Sequence, residues 1–246
     1  MRRMLWGWIA VALLAGGSPA EAEWAIDLEG GFAFSGYNDI RIPGDGGTEF
    51  SFSEELSTES APYARLRVGR RWDDRHDLRL LAAPLRLSAE GTLDRDLDFA
   101  GARFAAGEAL EGTYRFDSYR VTYRYLFSIS RRIDAAIGLT AKIRDAEIRV
   151  ASDERTASKA NTGFVPLIAF AFDWALSDGV HLRVEGDALV GPQGRAEDLF
   201  IGLTHPLSGH MLLRGGYRLL EGGADVDEVY NFTLIHYAAL GVEVVP

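Results

Sequence analysis

The sequence contains no cysteine among its 246 residues. This absence excludes disulfide bonds, thiolate metal sites, a cysteine nucleophile and a cysteine-linked lipid anchor. Basic residues are also few, with 26 Lys and Arg against 36 Asp and Glu, which excludes a protein that binds nucleic acid through a basic surface. Beyond the first two dozen residues, the longest apolar run is residues 164–172, and Pro166 interrupts it. A membrane-spanning helix needs about 20 apolar residues, so a helical membrane protein is excluded as well.

The first 22 residues have the features of a secretory signal peptide. Arg2 and Arg3 form a basic start, and residues 4–14 are an apolar stretch. Small residues, Ala20 and Ala22, then stand at the spacing that signal peptidases cleave. We predict cleavage after Ala22, with residues 1–22 as the signal peptide and residues 23–246 as one exported domain. The alternative is an N-terminal membrane anchor, for which the apolar stretch is short.

From residue 24 onwards, the sequence alternates between apolar and polar positions. Trp24, Ile26 and Leu28 fall on one face of an extended strand, and Asp27 and Glu29 fall on the other. Tight turns and long polar connectors alternate between such segments, which predicts about ten antiparallel strands with both chain ends on the tight-turn side. The predicted tight turns are residues 72–76, 128–131, 176–179 and 205–209, and the predicted long connectors are residues 35–60, 91–112, 151–161, 191–196 and 221–228.

Two kinds of β-barrel fit this alternation. A soluble barrel points its apolar residues inward, whereas a membrane barrel has an apolar outer face and a polar interior. Charges of both signs on the polar faces, aromatic residues beside the tight turns and strands of at least ten residues favour the membrane barrel. We therefore predict an all-β fold, a single closed antiparallel transmembrane β-barrel of about ten strands, with both termini periplasmic and with Pro84 interrupting one strand. A soluble barrel or sandwich is the alternative.

Two groups of candidate residues follow from this orientation. A further set of aromatic residues is assigned more loosely to a girdle at the interface opposite the tight turns: Tyr63, Phe32, Phe34 and Phe232. The predicted lumen charge network comprises Asp27, Glu29, Arg65, Arg67, Arg120, Arg124, Asp134, Lys142, Arg144, Arg183, Glu185, Asp187, Arg214 and Arg218. The predicted aromatic girdle at the tight-turn side comprises Trp24, Trp72, Tyr125, Phe127, Phe172 and Trp174.

Residues 24–35, the rhythm of turns and loops, and the last strand at residues 230–240 resemble the small outer-membrane β-barrel proteins of Gram-negative bacteria. The resemblance covers the whole predicted mature chain and concerns architecture, so it implies a class of protein and no activity. It implies location in the outer membrane and contact with outer-membrane lipids and lipopolysaccharide. It also implies periplasmic chaperones and the barrel-insertion machinery as partners during biogenesis.

The candidate chemistry is sparse. Ten strands enclose a narrow lumen, which excludes free passage of large solutes, although the arginine rows leave an anion path as an alternative. The acidic segments 221–228 and 194–198 are candidates for Ca²⁺, with solvated turns as the simpler interpretation. The segment 90–104 could contact lipopolysaccharide or a partner, and a polar loop is the simpler interpretation.

Known barrel enzymes, the omptin proteases and the lipid A deacylases, use a histidine with acidic residues or a serine. Here His76, His205 and His210 lie at tight turns, and His181 lies near a strand start. His236 falls on the apolar face of its strand, which is expected to face lipid. No catalytic set can be assembled from them. We predict a non-enzymatic barrel with a structural or adhesive role or minor permeation of small solutes. A barrel enzyme or specific transporter acting on envelope lipids or small ligands is the alternative. The sequence indicates no cofactor, no metal, no nucleic acid partner and no particular oligomeric state.

Overall fold

The computed structural model describes residues 23–192 and 194–245, so the predicted signal peptide lies outside the described residues. No helix in the described part of the chain is long and apolar enough to cross a membrane. The strands are β1 (Glu23–Arg41), β2 (Phe50–Ser51), β3 (Ser57–Thr58), β4 (Ala61–Trp72), β5 (His76–Ala83), β6 (Arg86–Thr92), β7 (Leu97–Phe99), β8 (Ala102–Phe104), β9 (Ala109–Ser130), β10 (Ile133–Ala151), β11 (Thr156–Ser177), β12 (Val180–Gly191), β13 (Gly194–Ser208), β14 (Met211–Val226) and β15 (Val229–Val244).

Ten antiparallel wall strands form a closed ring. Each long strand pairs with the next along the chain, and β1 pairs with β15 from Ile26↔Val244 to Arg41↔Tyr230, which closes the barrel. β5 and β6 together make one wall strand, because both pair with β9 and the break between them falls at Pro84. The predicted closed barrel of about ten strands is therefore confirmed. Both described chain ends lie at the same end of the barrel as the tight turns; that this end is periplasmic stays a prediction.

The outer face of the wall is apolar. Leu139 is 69% exposed and Leu28 is 57% exposed, although both are in the middle of long, regularly paired strands. The residues that follow them in the chain, Glu29 and Thr140, point to the opposite face of the strand and are buried in the interior. Exposed apolar side chains on a closed wall with charged groups inside are the arrangement of a barrel in a bilayer, because ring closure pairs the backbone groups of the first and last strands with each other.

The hairpins at the other end extend further than the sequence predicted. Residues 151–161 were expected to form a long connector, but β10 and β11 pair as far as Ala151↔Thr156 and leave a short turn. Likewise, β14 and β15 pair as far as Val226↔Val229 within the predicted connector 221–228. Polarity alone cannot separate a loop from a strand that projects into water, because such a strand is polar on both faces.

Two segments with mostly polar sequences fold over the interior at this long-loop end. The β1–β4 connection contributes Phe50 and Phe52, and the β6–β9 connection contributes Phe99 and Phe104, each at most 2% exposed. They pack with inward wall residues such as Tyr114 into one apolar cluster. The ring of Phe52 lies against the backbone where Gly112 leaves space, since a Cβ there would come within 2.6 Å of it. The expectation of a plain polar loop at 90–104 is therefore wrong, because apolar side chains at alternate positions bury themselves here. We call residues 42–60 and 93–108 the plug.

Candidate functional site

The tight-turn half of the interior holds one connected ion-pair network. It joins eight arginines to eight carboxylates, so its formal charge is zero. Buried charges persist in proteins only when they are paired in this way. The arginines are Arg65, Arg67, Arg79, Arg120, Arg124, Arg183, Arg214 and Arg218, and the carboxylates are Asp27, Glu29, Asp77, Asp173, Glu185, Asp187, Asp198 and Glu243.

Glu29 lies at the centre of this network and is fully buried. The guanidinium of Arg218 holds it with two hydrogen bonds, Nε to Oε1 at 2.9 Å and Nη2 to Oε2 at 3.0 Å. Arg214 Nη2 donates to the same carboxylate at 2.8 Å and to Asp27 Oδ1 at 2.7 Å. Bidentate arginine–carboxylate bonds of this kind are among the strongest and most directional in proteins, and they fix the strands that carry them.

Asp198 forms the second centre. Its carboxylate accepts hydrogen bonds from Arg65 at 2.8 Å, from Arg120 at 2.6 Å and from Arg218 at 2.6 Å. The sequence analysis placed Asp198 in an acidic outer loop with Ca²⁺ as a candidate ligand, and this placement is wrong. β13 begins at Gly194, so Asp198 is a wall residue whose side chain faces the arginines of the interior. Among the described residues, no group of acidic or histidine side chains is arranged to hold a metal ion.

The structure brings most of the predicted lumen residues into the network but not all of them. Lys142 and Arg144 face the interior above it, and neither forms an ion pair with a described residue. Asp134 lies exposed at the tight-turn end, where it accepts a hydrogen bond from Ser128 at 2.6 Å. The sequence analysis missed five members, of which Asp77 and Arg79 could have been found, because they alternate with apolar residues as the predicted members do. The five are Asp77, Arg79, Asp173, Asp198 and Glu243.

The six predicted girdle residues all lie towards the tight-turn end. Trp24 and Trp174 are exposed on the outer face, at 41% and 43%. Trp72 stacks on His76 with ring centroids 5.3 Å apart, and Tyr125 accepts a hydrogen bond from Arg75 at 3.1 Å. Phe127 and Phe172 both pair with Ala135, so they lie at one level on the two strands that flank β10. By contrast, Tyr63, which was assigned to the opposite girdle, faces the interior and packs edge-on against Tyr237.

The network leaves little space in the lumen. A cavity of about 40 Å³ remains between Arg67, Arg124 and Glu185, which is room for about one water molecule. Above it, the plug fills part of the long-loop half with packed apolar side chains. The ion pairs therefore fill the lumen in the tight-turn half, and the plug narrows it in the long-loop half.

The histidines do not assemble a catalytic set. His236 lies on the outer face, where its Nδ1 is 2.5 Å from the Tyr217 hydroxyl. His181 Nδ1 is 2.5 Å from the Asp173 carboxylate at the tight-turn end, and this carboxylate also pairs with Arg183. No serine or threonine hydroxyl within the described chain forms a hydrogen bond with either histidine, and a base needs such contact with its nucleophile.

The closed antiparallel ring, its apolar outer face and its charged interior together define a transmembrane β-barrel, and the barrel of OmpT has the same fold. The outer membrane protease OmpT from Escherichia coli aligns with a TM-score of 0.56 and 7% identity, over 91% of this chain and 97% of that one. Ail, the attachment invasion locus protein of Yersinia pestis, aligns with a TM-score of 0.39 and 13% identity, over 90% of this chain and 99% of that one. The outer membrane protein OprG from Pseudomonas aeruginosa aligns with a TM-score of 0.34 and 12% identity, over 90% and 92%.

No protein-family model matches the sequence, and no curated protein matches it. The likeness to OmpT at 7% identity shows the fold and carries no activity. The fold is that of the Gram-negative outer-membrane β-barrels, and the predicted resemblance to this class is confirmed.

Proposed function

We propose that this protein is a non-enzymatic outer-membrane barrel that does not conduct along its axis and acts through its surface, in envelope integrity or adhesion. The observation that carries this proposal is the neutral network of eight arginines and eight carboxylates across the lumen. Ions and solutes would have to break several buried pairs to pass it, and each broken pair leaves an uncompensated charge. The minor pore and the anion path considered from the sequence are therefore less favoured than a closed barrel.

The outer surface beyond the apolar band supports the adhesive role. The β9–β10 hairpin carries Arg115 on its outer face, where the guanidinium pairs with Asp145 at 2.7 Å and with Glu147 at 3.4 Å. Such polar side chains on a paired, rigid strand offer fixed contacts to lipopolysaccharide or to a protein partner. We include outer-membrane lipids and lipopolysaccharide among the partners, with chaperones and insertion machinery during biogenesis.

Planar-bilayer recording tests the proposal. The purified barrel is expected to give no stepwise conductance, because the network fills the lumen in the tight-turn half. A double variant, Arg214→Ala with Arg218→Ala, removes two side chains from the network and should raise ion leakage if the network is the seal. Stable channels in the unmodified protein would contradict the proposal, and changed lipid A acylation in a deletion strain would favour the enzyme instead.

A further inference from the structure

Two neighbouring wall strands separate at the long-loop half of the barrel. β11 and β12 pair from Ser177↔Val180 as far as Ile168↔Ala188. Beyond that level β11 continues on β10 up to Thr156, and β12 continues on β13 up to Gly191. Within the described chain, residues 156–167 of β11 therefore pair on one side only, and the wall has a lateral gap there.

The gap begins inside the apolar band. Phe164 is 64% exposed and Val190 is 71% exposed on its two flanks. Phe164 stands level with the outward residues Tyr119 and Ile143 on the neighbouring strands, so the lower part of the gap faces hydrocarbon. Pro166 lies on this free edge, and because its backbone nitrogen carries no hydrogen, it leaves no donor unpaired. Proline is tolerated in a sheet at such edges, and a bare N–H is costly in lipid.

Behind the gap lies a cavity of about 750 Å³. Its lining is mainly apolar and includes Tyr114, Phe116, Val165, Leu189 and Leu220. Leu189 points inward yet is 38% exposed, because β11 does not cover it. The volume lies in the range of cavities that enclose small organic ligands.

Three cations face this cavity without a carboxylate partner. Lys142 is only 2% exposed, and its Nζ lies over the Phe116 ring at 4.8 Å. Arg144 donates to the side-chain oxygen of Asn161, and its Nε has no partner. Lys159 also lines the cavity, and none of the three cations forms an ion pair with a described residue.

Two of the three carboxylates that line the cavity are already engaged, and the third, Glu228, lies exposed in the turn between β14 and β15. Glu147 pairs with Arg115, and Glu221 pairs with Arg195 at 2.5 Å. The cavity thus differs from the neutral network below it, because its interior-facing charges are positive and unmatched. A buried cation without a partner is unfavourable, so an anionic group would be bound strongly here.

We propose that this cavity binds an amphiphile with an acyl chain and an anionic head group, a carboxylate or a phosphate, which enters sideways from the bilayer between β11 and β12. The head group is held by Lys142 and Arg144, and the chain lies along Val165 and Leu189 towards the gap. Because the network closes the axis below, the ligand is retained in the barrel rather than passed through it.

Binding of cis-parinaric acid, a fluorescent fatty acid, to the full barrel in uncharged detergent tests this proposal. We expect saturable binding at one site per barrel, weakened at least tenfold by Leu189→Trp, which fills the cavity, and by Lys142→Met, which removes the head-group contact. Ile201→Trp adds the same bulk at an outward position of β13 away from the gap, and Arg149→Met removes an exposed arginine from the outer face of β10, so both controls should bind normally.

The methyl ester of the probe separates the head group from the chain. Lys142→Met should leave the weaker binding of the ester unchanged. Competition by lauric acid against dodecyl phosphate shows which anionic head is preferred. Non-saturable uptake, or equal binding by Leu189→Trp and the unmodified barrel, would overturn the proposal. Heat-modifiability on gels shows that each variant is folded, and the conductance test above is independent of this result.

A designed carboxylate gives a second, independent test. Val165 is the cross-strand partner of Lys142, and both face the cavity. In Val165→Glu the new carboxylate should pair with Lys142, occupy the head-group position and reduce binding of the acid at least tenfold. Full binding by this variant in its folded form would show that the cations do not hold the head group.

Discussion

Arg218 offers a direct test of the neutral network. The change Arg218→Met keeps an unbranched chain of similar length and removes the guanidinium from between Glu29 and Asp198. The network then holds one carboxylate more than it holds arginines, in a site where Arg218 and Glu29 are at most 2% exposed. Breaking a buried pair by removing one partner destabilises proteins by about 3–5 kcal/mol, because the remaining charge is uncompensated.

The surrounding arginines set the size of this effect. Glu29 keeps Arg214 at 2.8 Å, and Asp198 keeps Arg65 and Arg120. We therefore expect a loss of about 3 kcal/mol, at the lower end of the range. Glu29→Gln should cost a similar amount for the opposite reason. The double variant is neutral again, so it should be more stable than the sum of the two losses by about 2 kcal/mol.

Urea unfolding in lipid vesicles, followed by tryptophan fluorescence, measures these differences. Arg149→Met is the matched control, since this arginine lies exposed on the outer face and should change stability by less than about 0.5 kcal/mol. Losses that simply add in the double variant, or a single variant as stable as the unmodified barrel, would refute the reasoning that charge balance stabilises the lumen.

Three further predictions concern the outer wall and the plug. Leu139→Arg puts a charge on the lipid-facing side of β10 and should cost about 2–4 kcal/mol in the same unfolding assay; an unchanged midpoint would contradict the orientation of the wall. Phe52→Ala should weaken the plug by about 3 kcal/mol, seen as faster protease cleavage of residues 42–60 with the wall intact. Arg95 hydrogen-bonds Glu55 and lowers the pKa of that carboxyl. The contribution of this pair to the stability of the plug is therefore complete at neutral pH and is lost as the pH falls through the lowered pKa. Cleavage of the plug should therefore increase only in acid, and Glu55→Gln should remove that pH dependence.

The alternation of apolar and polar residues predicted the wall strands, because this alternation is a local property of the chain. Leu28 and Glu29 are adjacent, and their opposite directions follow from strand geometry without any knowledge of neighbours. The rule fails where the period itself changes. At Gly36 a bulge shifts the pairing of β1 with β15. Odd-numbered residues such as Glu29 face the interior before the bulge, and the even-numbered Asn38 and Ile40 are buried after it.

The plug and the lateral gap depend on distant parts of the chain, and the sequence gives few signs of either. Phe50 and Phe52 stand among polar residues, and only the apolar cluster under them explains their burial. Asp198 was interpreted as a loop residue because it follows a glycine and two charged residues in the sequence. In the structure, three arginines from three other strands surround it. For the gap, Pro166 is the single local sign, and its meaning depends on where β12 leaves β11.

The two halves of the interior follow different rules, and this difference argues that the cavity is built for a ligand. Below, every arginine of the network has a carboxylate, and Asp198 is shared by three of them. Above, Lys142 lies cross-strand from Val165, where one acidic residue would neutralise it as others do below. A barrel that only had to be stable would gain from such a residue. Since the unmatched cations coincide with the part of the wall that is open towards lipid, the missing negative charge is best supplied by a molecule from the bilayer.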